Sequence, residues 1–159
     1  MDSYLNGEST DLAELVMEFS TTIWNWYGQS EYRRVLAVCL AIRGLTFLAM
    51  NADEQRQTIP GCPACEVWSK TMLPLHEALT VCGAAMQKDV RGGLQHVWDL
   101  CSSLPESAIH CDDRSIFDQC EWQPLREAAN QALAFVDAEK MSPYLDELIS
   151  DCRSAMVQS

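Results

Sequence analysis

From Val35 to Met50 the chain runs for 16 residues with Arg43 as its only charge. Val35, Leu36, Val38, Cys39, Leu40, Ile42, Leu45, Phe47 and Leu48 leave a helix over this span with hardly any polar face. Such a helix has to be wrapped by other elements. It falls short of the roughly 20 apolar residues that a membrane-spanning helix needs, so the spacing predicts the central helix of a bundle, opened near Ser30.

The flanking sequence supplies the wrapping. After a polar leader over 1–9, Thr10-Asp11 starts a helix whose face is Leu12, Leu15, Val16, Phe19, Ile23, Trp26 and Tyr27, closed by Gly28 as a left-handed cap. Residues 51–60 read as a polar loop. Pro63 begins a helix bearing Val67, Trp68 and Met72, which Pro74 breaks or kinks before Leu75, Leu79 and Cys82. Gly92-Gly93 marks a joint, followed by a stripe of Leu94, Val97, Trp98 and Cys101. Asp112 or Asp113 caps a short helix with Ile116 and Phe117, and Gln123-Pro124 opens another running to Val136. Ser142-Pro143 reads as an N-cap and first-turn proline ahead of Leu145, Leu148, Ile149 and Cys152. No segment alternates in the manner of a strand. The expectation is an all-α fold: a flexible leader over 1–9, then one domain over 10–159, a compact bundle of about six to eight helices with partly orthogonal packing.

Charge narrows the partners. Twenty-three acidic residues against 11 Lys plus Arg give a net charge of -12, which repels phosphate backbones and anionic lipid and favours a basic protein partner. The expected partners exclude nucleic acid and membrane, and a homodimer is the variant expected if one domain cannot cover the helix at 35–50. Met1 to Glu18 carries five acidic residues and no Lys or Arg, unlike a secretory or organellar leader. An intracellular location, cytoplasmic or nuclear, is therefore expected. Eight cysteines accompany a substantial apolar fraction of 48%. Disulfide-stapled chains are short and core-poor, so the thiols are expected reduced, with Cys39, Cys82, Cys101, Cys120 and Cys152 as small core side chains.

The sharpest motif is Cys62-Pro63-Ala64-Cys65. Over these four residues it resembles the C-P-x-C of glutaredoxin-like oxidoreductases, which implies a reactive thiolate at Cys62 and thiol–disulfide chemistry. That family sets its motif after a strand in a βαβ unit, and 51–61 carries no strand pattern. The same spacing suits zinc, since two thiolates on a tight turn reach one tetrahedral ion. His76 and Cys82 complete a C-x2-C-x10-H-x5-C set, while His110, Cys111 and Cys120 are the alternative ligands. Trp24, Tyr27 and Trp122 are the candidate partner-binding aromatics, whereas Trp26 falls on the core stripe. None of the three histidines sits in a nucleophile elbow, zincin helix or phosphate loop. The function these residues suggest is a non-enzymatic acidic interaction module: a regulator, adaptor, inhibitor or self-assembling subunit. A zinc-stabilised module is the alternative and a thiol oxidoreductase the third.

Overall fold

A computed structural model describes residues 18–59 and 61–158. The leader over 1–9 and the helix start at Thr10 to Val16 lie outside them. The described residues form an all-α bundle of about seven helical rods without a strand. α1 is Phe19–Gly28, α2 Tyr32–Ala49 and α3 Ala52–Thr58. α4, Pro63–Val67, continues through a π turn at Trp68–Met72 into α5, Leu73–Cys82. α6 is Lys88–Ser102, and a 3-10 turn at Arg114–Asp118 leads to α7, Trp122–Phe135. The last rod joins α8, Ala138–Met141, through a 3-10 turn at Ser142–Tyr144 to α9, Leu145–Gln158.

α2 is the hub, packed by α1, α5, α7, α9 and the π turn. Val35, Val38, Cys39, Ile42, Leu45 and Leu48 are all fully buried, each large side chain contributing roughly 1.5–3 kcal/mol by leaving water. Most of the apolar surface of 35–50 is thus covered inside one chain, while Leu36, Leu40 and Met50 stay half-buried. Gly44 lets the hub approach its neighbour: a Cβ there would lie 3.0 Å from the Cα of Thr71 and 3.1 Å from the carbonyl oxygen of Lys70.

Local physics accounts for the departures from expectation. Residues 52–58 are helical because Asn51 accepts the Glu54 N–H at 2.9 Å while the Glu54 carboxylate accepts the Asn51 N–H at 3.2 Å, a full capping box. Pro74 does not break its helix. The preceding turn widens so that the Leu73 N–H bonds to the carbonyl oxygen of Trp68, the i to i+5 pattern that absorbs an extra residue. Gly92-Gly93 sits within α6 rather than at a joint; a Cβ on Gly93 would meet the Phe135 ring at 2.7 Å, so the glycine serves close packing on α7. Gly28 is not left-handed; that conformation falls on Ser30, at φ 62°. Ser142 is no N-cap, because the backbone is already helical on both sides of it. Asp113 does cap its 3-10 turn, accepting the Ser115 N–H at 2.7 Å.

A buried polar network locks the hub to its neighbours. Gln55, fully buried, donates to the carbonyls of Phe47 and Leu48 at 3.1 and 3.3 Å, satisfying the terminal carbonyl of Leu48 and joining the Met50 N–H on that of Phe47. Its amide oxygen accepts from the Arg126 guanidinium at 2.8 Å, which also donates to the carbonyl of Phe117 at 2.6 Å.

Candidate functional site

Two places gather chemistry-bearing side chains. The first is a cysteine cluster. Cys62, the residue before α4, is bonded to Cys111, 49 positions later, with Cα atoms 4.9 Å apart. The expectation of wholly reduced thiols is corrected here: the cap of α4 and the irregular segment after α6 meet side by side, so two sequence-distant sulfurs face one another. The Cys65 sulfur lies 3.6 Å from that of Cys111, and all three sulfurs fall within 4.8 Å of one another. Cys65 and Cys111 are exposed and Cys62 half-buried, so solutes reach the group.

The remaining expected ligands stand elsewhere. Cys65 and Cys82 are 17 residues apart (82 − 65) on one continuous helical rod, roughly 25 Å of rise, so they cannot share an ion. His76 lies against Trp98 at a tilt of 43°, with ring centroids 5.0 Å apart, and the buried Cys82 thiol donates to the carbonyl of Arg34 at 3.6 Å. Cys120 is exposed and outside the cluster rather than a core side chain. His110 adjoins Cys111 in sequence, but its Nδ1 accepts the Asp112 N–H at 3.1 Å. Desolvation pushes the thiols of Cys39, Cys82 and Cys101 up to about 12 and also raises Cys152, which makes them inert fillers. As zinc ligands, Cys62, Cys65 and Cys111 supply three soft donors once the disulfide is reduced, leaving one tetrahedral position open.

The second place is an aromatic cleft where α1 meets the start of α9. Trp24 and Tyr144 are 39% and 45% exposed. Their rings meet edge to face with centroids 5.3 Å apart, and Trp24 makes a like contact with Tyr27 at 6.0 Å. The cleft holds about 300 Å³ and is floored by Leu148 and flanked by Glu147 and Asp151. The Tyr27 hydroxyl donates to the Asp151 carboxylate at 3.4 Å; desolvation, then that neighbouring negative charge, holds the phenol above its ordinary range. π faces beside two carboxylates form an environment for a cation. Tyr144 was not among the sequence candidates, although 144, 147, 148 and 151 follow the one-face spacing of a helix. Trp122 is corrected: it is fully buried, its indole N–H donates to the carbonyl of Ala108 at 2.8 Å, and its ring packs on Phe117. An indole so enclosed is core.

No helix among the described residues is long and apolar enough to cross a membrane. No protein-family model, curated protein or solved structure matches this chain.

Proposed function

We propose that this chain is a non-enzymatic helical interaction module that captures a Lys or Arg side chain of a basic protein partner in the Trp24–Tyr27–Tyr144 cleft. The observation that carries the reading is the pairing of half-exposed aromatic rings with Glu147 and Asp151 on one face. Exposed aromatic anchors of this kind concentrate binding energy, and the net charge of -12 steers a basic partner toward them. Titrating a Lys/Arg-rich peptide against tryptophan fluorescence, to which Trp24 is one of five contributors, tests it. Saturable quenching is expected that weakens with salt and at least about tenfold in Glu147→Gln/Asp151→Asn, the loss of one to two kcal/mol of cation binding. Quenching unaltered in that variant and in Trp24→Ala would dismiss the cleft as a recognition site.

A second reading rests on the convergence of Cys62, Cys65 and Cys111. Under reducing conditions these thiols hold a zinc ion that replaces the covalent clamp, with water in the fourth position. Elemental analysis of protein purified with reductant and without chelator is then expected to give about one zinc per chain, and a metal-free product sinks this reading.

A further inference from the structure

Beside the π turn lies a cleft of about 570 Å³, within the ~300–1,000 Å³ range of small-molecule sites. Its apolar wall is Leu40, Phe47, Met50, Ile59 and Pro74. Three of the chain's 11 cationic side chains, Arg43, Lys70 and Arg153, also line it, against a single carboxylate, that of Glu66, a local balance that runs against the acidic surface as a whole. Two of them are already balanced. Arg43 pairs with Asp146, and Lys70 pairs with Glu66 at 2.8 Å. Arg153 has no ion-pair partner among the described residues, so the cleft carries about one uncompensated positive charge.

The hydroxyls of the wall sort in the same direction. Thr46 donates to the carbonyl of Ile42 at 2.8 Å and Thr58 to that of Glu54 at 2.7 Å, so both spend their proton within their own helices. Thr71 does not. It is 1% exposed, lies in the π turn, and its hydroxyl oxygen has no hydrogen-bond partner. A buried hydroxyl left unpaired costs on the order of 1–3 kcal/mol, and π turns recur where a backbone is shaped for a ligand.

We propose that this cleft binds a small amphipathic monoanion, an aliphatic carboxylate whose chain lies on Leu40, Phe47, Met50 and Ile59 and whose head pairs with Arg153. The net single charge selects a monoanion over a phosphate-like dianion. The aliphatic body follows from a wall of flexible apolar side chains, and the Thr71 hydroxyl gains an acceptor when the site is filled.

Calorimetric titration with decanoate, decanol and decyltrimethylammonium tests this. Decanoate is expected to bind saturably, one per chain, with decanol about tenfold weaker, the loss of one charge-assisted contact, and the cationic amphiphile not saturating. Arg153→Gln, at an exposed position, should leave the melting temperature of the free protein unchanged and bring decanoate down to the affinity of decanol. Thr71→Val should leave the free protein as stable or more so while reducing the stabilisation that decanoate confers. Equal affinity for decanoate and decanol, decanoate binding unmoved by Arg153→Gln, or no saturable decanoate binding would each overturn the proposal.

Discussion

Opening the bond between Cys62 and Cys111 is expected to cost this fold a sizeable part of its stability. The bond closes a loop of 50 residues, one more than the separation of 49. The chain-entropy relation for a loop of that length gives about 14 cal/mol/K, or about 4 kcal/mol at 25 °C. For a chain of this size that corresponds to a fall in melting temperature of roughly 8–16 °C. Thermal unfolding followed by circular dichroism, with and without reductant, reads the shift, and Cys62→Ser/Cys111→Ser isolates it from other thiols. Cys65 adds a complication that magnitude resolves. Its thiolate, 3.6 Å from the Cys111 sulfur, can attack there, forming a Cys65–Cys111 bond and releasing Cys62 as the thiolate. The new loop is three residues shorter, a difference under about 0.1 kcal/mol, so stability cannot separate the two pairings whereas peptide mapping can. Alkylation of unreduced, unfolded protein should tag six of the eight cysteines. Eight tags, or a melting temperature indifferent to reductant, would refute the clamp.

Gly44→Ala should destabilise the fold by about 1–3 kcal/mol in urea unfolding even though alanine is the better helix former, because the new methyl meets backbone atoms of Lys70 and Thr71 rather than a movable side chain. Gln55→Leu should cost about 1–3 kcal/mol, since the Leu48 carbonyl loses its donor, that of Phe47 keeps only the Met50 N–H, and the partly buried Arg126 guanidinium loses an acceptor; a neutral result would show that water replaces the amide. In native protein at pH 8, iodoacetamide should modify Cys65 and Cys120 while sparing Cys39, Cys82 and Cys101, whose thiols, pushed up to about 12, hold on the order of one thiolate in ten thousand. Fast labelling of Cys101 would contradict its place in the core.

The helical fold was legible because period-3.6 patterning is a property of burial, and burial here is nearly complete on one stripe of each rod. Ile23 and Trp26, Leu94 and Val97, Leu148 and Ile149 all fall inward as their spacing implies. What composition concealed was local competition. Residues 51–58 are polar enough to read as a loop, yet Asn51 and Glu54 stand three apart in the arrangement that satisfies two of the orphan N–H groups of a helix start. Gly92, Gly93 and Pro74 are breakers in isolation. Tertiary contact overrides them: Phe135 fills the space a side chain on Gly93 would need, and a widened turn accommodates the proline.

The sites were legible only in part, for a reason that also explains how they arise. Cys62 and Cys65 announce themselves by spacing, but the third sulfur comes from Cys111, and nothing in a linear pattern ranks it above His76 or Cys82. The deciding quantity is helical rise, which carries Cys82 to the far end of its rod while the segment after α6 returns to the near end. The aromatic cleft follows the same geometry, since Trp24 lies off the stripe of Ile23 and Trp26 and so must face outward, toward Tyr144 of the closing rod. Residues expelled from the core of one helix become useful where a second helix expels its own beside them. In this chain that happens at the junction of α1 and α9, which is why the acidic and aromatic side chains there form a concave surface rather than scattered exposure.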